Sequence, residues 1–281
     1  QQQRSGDVWL GLMELVHGGT LGRLRKVNLW ANFNYGIGQP KAPDAPVPAG
    51  VDFDQWLGPA PARSFNPTRF HGSWRMFWHY GGGLMTDWGV HLIDMALWAG
   101  RQTGDPGEIL AWARNLSFPD HNHETYDTMS VVYPMGDYAI TWQHTAGVQR
   151  GPYDMLYGVE VVADHGTIVA DRAGWRLLPE EAARVGRPEV EPRAMRTASD
   201  AQAMEAHVAN FVACVKSRRD PACTIETGRQ VALFAHAANI AARSGAGRLE
   251  WDAARQQFKN SEAANRFIVP EYRPPWTLPD V

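Results

Sequence analysis

Residues 126–145, YDTMSVVYPMGDYAITWQHT, decide the fold. Two strand-like runs, 126–134 and 137–145, meet at Met135-Gly136, the pattern of a strand, a tight turn and a returning strand. The same texture recurs upstream in EILAWARNLSF (108–118). Downstream it recurs in YGVEVVAD (157–164), GTIVAD (166–171) and GWRLLP (174–179), with a second hairpin turn at His165-Gly166. An earlier strand is expected over 24–34, with alternation around Val27, Leu29 and Ala31. Helical spacing takes over at both ends. Val8, Leu12, Leu15 and Val16 predict a helix stopped by His17-Gly18-Gly19. Val90, Ile93, Leu97 and Trp98 predict one over 84–100, ended by Gly100. Two more are expected over 201–217 and 227–243. Residues 36–50, with four prolines, predict an irregular loop, 53–67 a short turn with extended chain, 180–199 a Pro- and Arg-rich linker, and 251–281 a largely irregular tail. Successive strands with helices around them predict an α/β (α+β) fold, an open, mostly antiparallel or mixed sheet with helices on one face.

The 281 residues allow one large domain or two small ones. Hydrophobic residues at 44% and charged residues at 20% are the balance of a chain that buries a core, which excludes disorder. The apolar runs fall short of the roughly 20 residues a membrane helix needs. A net charge of −3 gives no basic field for nucleic acid or anionic lipid. Cys214 and Cys223 make no disulfide framework and no thiolate zinc site, and are expected as buried free thiols. Most of the 12 tryptophans are expected in the core. The sequence holds no Gly-x-Gly-x-x-Gly, no Gly-Lys pair, no Gly-x-Ser-x-Gly and no His-Glu-x-x-His. A phosphate cradle, a serine hydrolase and a zincin are therefore disfavoured.

What remains is concentrated in Gly81-Gly82-Gly83-Leu84-Met85-Thr86-Asp87-Trp88-Gly89-Val90-His91-Leu92-Ile93-Asp94. On one helix Asp87, His91 and Asp94 can face the same way. Asp87, near the predicted helix start, is expected to be favoured there by the helix dipole and to cap; a histidine one turn on can act as a general acid or base tuned by a carboxylate. The competing reading makes Asp87 only a cap and His91 a core histidine. The glycines would let backbone and a flat ligand approach closely. Upstream, Arg69, His71, Trp74, Arg75, Trp78, His79 and Tyr80 interleave donors with rings, which suits a polyhydroxylated ligand. His121, His123, Glu124 and His144 read as loop or substrate contacts, and no metal site is expected.

The Gly81–Asp94 segment resembles the motif of the Gfo/Idh/MocA family, the glucose–fructose oxidoreductases, inositol dehydrogenases and relatives. Further stretches are similar to its sugar-processing branch: Gln2-Gln3-Arg4-Ser5, Gly19-Thr20-Leu21-Gly22-Arg23-Leu24, Trp56-Leu57-Gly58-Pro59, Ile225-Glu226-Thr227-Gly228 and the closing Tyr272-Arg273-Pro274-Pro275-Trp276. The resemblance implies a dinucleotide-binding Rossmann domain followed by an α/β substrate domain. On this reading residues 1–22 are the connecting helix from a missing dinucleotide-binding domain, and residues 23–281 are the substrate-binding and oligomerisation domain. It implies NAD or NADP as cofactor, a sugar or cyclitol as substrate, and a dimer or tetramer formed through the open sheet. Carried over by position, His91 is the general base and Asp87 positions it. Arg75, Trp74, His71 and Tyr126 are the substrate-binding candidates, and Gln2 and Arg4 lie near the cofactor. The family's Glu-Lys-Pro lysine has no counterpart among Lys26, Lys41, Lys216 and Lys259, so activity of this chain alone is not expected. The leading function is the catalytic half of an NAD(P)-dependent CH–OH oxidoreductase. The alternatives are an NAD-dependent glycosidase of the α-N-acetylgalactosaminidase kind and a non-catalytic sugar-binding or oligomerisation module. The sequence leaves the compartment open between cytoplasm and periplasm.

Overall fold

Alternation of apolar and polar residues becomes a sheet with one dry face. The computed structural model describes residues 1–181, 190–197 and 201–278. In chain order the elements are α1 (Asp7–His17), β1 (Leu24–Ala31), β2 (Gln39–Pro40), α2 (Phe53–Leu57), α3 (Gly83–Asp87), α4 (Gly89–Ala99), β3 (Glu108–Arg114), β4 (His121–Asn122), β5 (Thr128–Pro134) and β6 (Ala139–Thr145). There follow β7 (Tyr157–Ala163), β8 (Gly166–Asp171), β9 (Gly174–Pro179), β10 (Arg193–Arg196), α5 (Ala201–Ser217), α6 (Ile225–Arg243), β11 (Arg248–Asp252), β12 (Gln257–Phe258) and α7 (Glu262–Asn265). Of the linker expected over 180–199, residues 182–189, 198 and 199 lie outside the described residues, as do the last three of the tail.

Ten strands form one sheet in the order β10-β9-β8-β7-β1-β6-β5-β3-β11-β12. Its neighbours are antiparallel except β1 and β6, which run parallel with Val27 opposite Ile140 and Leu29 opposite Trp142. A parallel pair needs a long crossover. Here that crossover carries α2, α3 and α4, which is how the Gly81–Asp94 segment comes to lie on the sheet. The inward residues Met129, Val131 and Tyr133 of β5 and Ile109 and Ala113 of β3 are buried, whereas Trp112 and Val132 point outward and are exposed. The inner face meets Leu92, Ile93 and Ala96 of α4 and Phe234, Ala235 and Ala238 of α6. The Tyr133 hydroxyl donates to the Phe234 carbonyl at 2.9 Å, tying sheet to helix. Val8, Trp9, Leu12 and Met13 of α1 join the same core.

Four expectations are corrected. The helix over 84–100 is interrupted at Trp88, which closes α3 and opens α4. Its indole packs against both Phe33, at 4.2 Å between ring centroids, and Tyr157, at 4.5 Å. The tail is less irregular than its composition: β11 pairs with β3, and β12 with β11. Cys214 and Cys223 are half-buried free thiols, because the helix bearing Cys214 buries only Ala203 among its described side chains. The tryptophans divide as well: Trp9, Trp30, Trp142, Trp175 and Trp251 are buried, while Trp112 and Trp276 are exposed.

Candidate functional site

Asp87 ends α3 and caps nothing, because the helix begins four residues earlier, at Gly83. Its carboxylate is instead met from both sides. The Tyr35 hydroxyl, from the turn following β1, donates to Oδ2 at 2.7 Å. Arg75 Nε lies 3.5 Å from Oδ1. Burial first, then Asp87, hold the Tyr35 phenol far above its usual range, so it stays a donor. The Arg75 guanidinium lies 4.6 Å over the Trp74 ring and also donates to the Gly72 carbonyl at 3.2 Å. Asp87, Arg75, Trp74 and Tyr35 thus form one connected group.

His91 sits in the first turn of α4, one helical turn beyond Asp87, with no hydrogen bond between them. Its Nδ1 is buried and without a partner among the described residues. Burial, then the Arg172 charge, push its pKa down to about 4, with Asp87 pulling the other way. The imidazole is neutral at pH 7 and carries one lone pair able to take a proton. Beside it, Arg172 lies 4.7 Å over the Trp88 ring. Gln3, its amide oxygen turned toward Arg172, accepts from Nε and Nη2 at 2.8 Å.

Asp94 does not share this face. It is fully buried and gripped by Arg4, whose Nε and Nη2 lie 2.9 and 2.8 Å from Oδ1. Burial raises the Asp94 carboxyl and Arg4 opposes it. Arg4 also lies 5.0 Å over Trp98, so both residues anchor the amino-terminal turn Gln2–Ser5, which includes Gln2, to α4. His71 is exposed at φ 50° and packs on Phe70 at 4.2 Å. Tyr126 packs edge-on against Trp78 at 5.6 Å. Neither is hydrogen-bonded to Asp87 or His91. The space the glycines leave is filled by protein. A Cβ on Gly81 would lie 2.7 Å from the Arg75 carbonyl oxygen, and one on Gly82 would lie 2.6 Å from the Asn239 amide and Thr86. On Gly83, at φ +65°, it would lie 2.7 Å from Thr125. These glycines clamp the segment against its neighbours.

The other histidines differ among themselves, and the Nδ1 atoms of His121 and His165 are likewise buried without a partner among the described residues. His144, buried, accepts at Nδ1 from Trp142 Nε1 at 3.0 Å and bonds the Tyr126 carbonyl through Nε2 at 3.0 Å, which fixes it as the neutral Nε2–H form. His123 bonds the Thr125 carbonyl, and His121 packs on Phe118. Tyr35 and Arg172 carried no motif: one lies in the short 3-10 turn after β1, the other in the β8–β9 turn. Tertiary folding alone brings them to α3 and α4.

The model of the oxidoreductase family, C-terminal alpha/beta domain, of Gfo/Idh/MocA type, matches residues 11–112 and 188–278. The chain belongs to the Gfo/Idh/MocA oxidoreductase family. Solved structures share its fold. The aldose-aldose oxidoreductase from Caulobacter crescentus, complexed with glycerol, is 17% identical at a TM-score of 0.59, over 89% of this chain and 62% of that one. Levoglucosan dehydrogenase, in complex with NADH and levoglucosan, is 15% identical at 0.56, over 89% and 63%. The WlbA dehydrogenase from Bordetella pertussis, with NADH and UDP-GlcNAcA, is 14% identical at 0.54, over 90% and 62%. The chain thus spans about three fifths of their length. No curated protein matches the sequence. Among the described residues no helix is long and apolar enough to cross a membrane.

Proposed function

We propose that this chain is the substrate-binding and proton-handling part of an NAD(P)-dependent oxidoreductase acting on a CH–OH group of a sugar or cyclitol. The observation that carries the reading is His91: a half-buried, neutral imidazole whose buried Nδ1 has no partner among the described residues, beside a carboxylate held in place by Tyr35 and Arg75. His144, by contrast, has both nitrogens engaged, and His121 and His165 share the unpartnered Nδ1 but not the place next to Asp87.

The residues present fit the reacting end of a nicotinamide dinucleotide and not its phosphates, since the glycine fingerprint is not among these residues. In this reading residues 1–22 join the domain of residues 23–281 to a dinucleotide-binding part. When bound, the nicotinamide supplies the hydride acceptor. His91 takes the hydroxyl proton of the substrate carbon. Asp87 offsets the imidazolium charge that develops, and Tyr35 and Arg75 keep the carboxylate oriented. Arg75 and Trp74 offer a donor and a ring face to a polyhydroxylated substrate, with His71 and Tyr126 at greater remove and Gln2 and Arg4 at the cofactor side. NADH and sugar-type ligands in two structural neighbours support the substrate and cofactor class. The outward sheet face bearing Trp112 and Val132 is assigned to self-association into a dimer or tetramer.

The test has two arms. Calorimetric titration of NAD and NADH into this chain is expected to give no binding at micromolar concentrations; micromolar binding overturns the division of labour. In the protein complete with its dinucleotide-binding part, His91→Asn is expected to lower sugar-dependent NADH formation by about a hundredfold or more, the scale of a general base. Full turnover in that variant removes His91 from the reaction.

A further inference from the structure

Behind the glycine segment lies a cavity of about 500 Å³, outside the Asp87–His91 group. One wall is a single face of α6. Arg229, Leu233, His236, Ile240 and Arg243 recur at spacings of four, three, four and three, so they line up along the helix. The opposite walls are Trp78, Trp251, Phe258, Phe267, Ile268 and Pro270. The lining is thus apolar and aromatic, with a few polar groups.

Most of those polar groups are already satisfied. Arg229 donates to Asp105 at 2.8 Å and to Gln256 at 2.6 Å, and Gln256 in turn donates to Asp105 and the Ala253 carbonyl. Asn239 donates to the Gly82 carbonyl at 2.9 Å. Arg243 differs: among the described residues it has no hydrogen bond and no ion pair. Its guanidinium lies 4.4 Å from the centre of the Trp78 ring and 4.5 Å from that of the Phe267 ring. The nearby Glu124 carboxylate is engaged elsewhere, by Arg63 at 2.9 Å and by the Trp78 amide at 3.1 Å. The guanidinium N–H groups thus have no protein acceptor among the described residues, and their planar fork matches a carboxylate bidentately. His236, which faces open space in the same cavity, likewise has no hydrogen-bond partner among the described residues.

We propose that this cavity binds a small amphiphilic monoanion, an aromatic carboxylate, with its ring against the apolar walls and its carboxylate on the edge of Arg243. A polyhydroxylated ligand is disfavoured, because the wall offers few uncommitted donors and acceptors to receive its hydroxyls. The inference does not rest on the oxidoreductase reading, since it uses none of Asp87, His91, Arg75, Trp74 and Tyr35, although Trp78, which packs on Tyr126, lines the cavity.

Benzoate and its neutral isostere benzamide are the probes. Both are titrated into this chain by calorimetry, with quenching of Trp78 and Trp251 fluorescence as a second readout. Benzoate is expected to bind at least tenfold tighter than benzamide. Arg243→Met is expected to abolish that preference, and Leu233→Trp, which fills the cavity and keeps the cation, to abolish binding of both. Should Arg243→Met fail to fold, Leu233→Trp carries the test. Equal affinity for the two probes, no binding of benzoate, or benzoate binding that survives Leu233→Trp overturns the proposal.

Discussion

Replacing His91 by leucine should stabilise the fold while removing the proposed base. The buried Nδ1 has lost its water and found no partner, a penalty of about 1–3 kcal/mol. Leucine removes that penalty at similar volume. It gives up the ring contact with Trp88, 5.8 Å away between centroids, worth about 0.5–1 kcal/mol. The net expectation at pH 7 is a gain of about 1 kcal/mol, or roughly 2–3 °C in Tm for a chain of this size. The pH dependence sharpens the test. The folded imidazole titrates near 4 against 6.5 when unfolded, so its contribution is complete above 6.5 and is lost as pH falls toward 4. Between pH 7 and pH 5 the wild type loses about 2 kcal/mol through this residue, and the leucine variant loses none. The stability difference should therefore widen from about 1 to about 3 kcal/mol. Urea unfolding of both proteins at pH 7, 6 and 5 measures it, and titrations common to both cancel. A variant at least 2 kcal/mol less stable than wild type at pH 7, or a difference that does not change with pH, refutes the reasoning and returns His91 to a structural role.

Four further outcomes are expected. His144→Phe leaves the Trp142 indole N–H and the Tyr126 carbonyl without their partner, and should cost about 2–5 kcal/mol in urea unfolding at pH 7, the reverse sign to His91→Leu. Arg4→Met strands the buried Asp94 carboxylate and should cost about 3–5 kcal/mol, relieved as pH falls and Asp94 takes a proton. Gly83→Ala forces a Cβ into the left-handed region and against Thr125, and should lower Tm by several degrees, at about 1–3 kcal/mol for the strain. Tyr35→Phe removes the donor to Asp87; turnover with the dinucleotide-binding part present should fall about tenfold or more, with Tm within a few degrees of wild type.

Much of the sheet was legible because strand alternation is a local signal. The hairpin at Met135-Gly136 and the β7–β8 and β8–β9 strands follow from period-two runs and short turns, where partners lie a few residues apart. The parallel pairing of β1 with β6 was not legible, and neither was β11 on β3, about 140 residues apart in sequence. Five- and two-residue strands carry too little pattern to compete with a turn, and pairing at that separation is a property of the closed fold.

For the site, the sequence by itself determined the chemistry available: Asp87 and His91 one turn apart, Arg75 and Trp74 upstream, and a glycine run that lets the chain be clamped tightly. Only the tertiary structure decided what each residue does with it. The spacing that could have put Asp94 on the face of Asp87 and His91 instead puts it in the core, because Arg4, ninety residues earlier, is there to neutralise it. Asp87 is aimed by Tyr35 and Arg75, and His91 is held neutral by burial and by Arg172 from a distant turn. Helical period fixes which residues are neighbours along one element. Burial, and with it protonation state and hydrogen-bond partner, is fixed by whatever other elements pack there, and no local pattern encodes that.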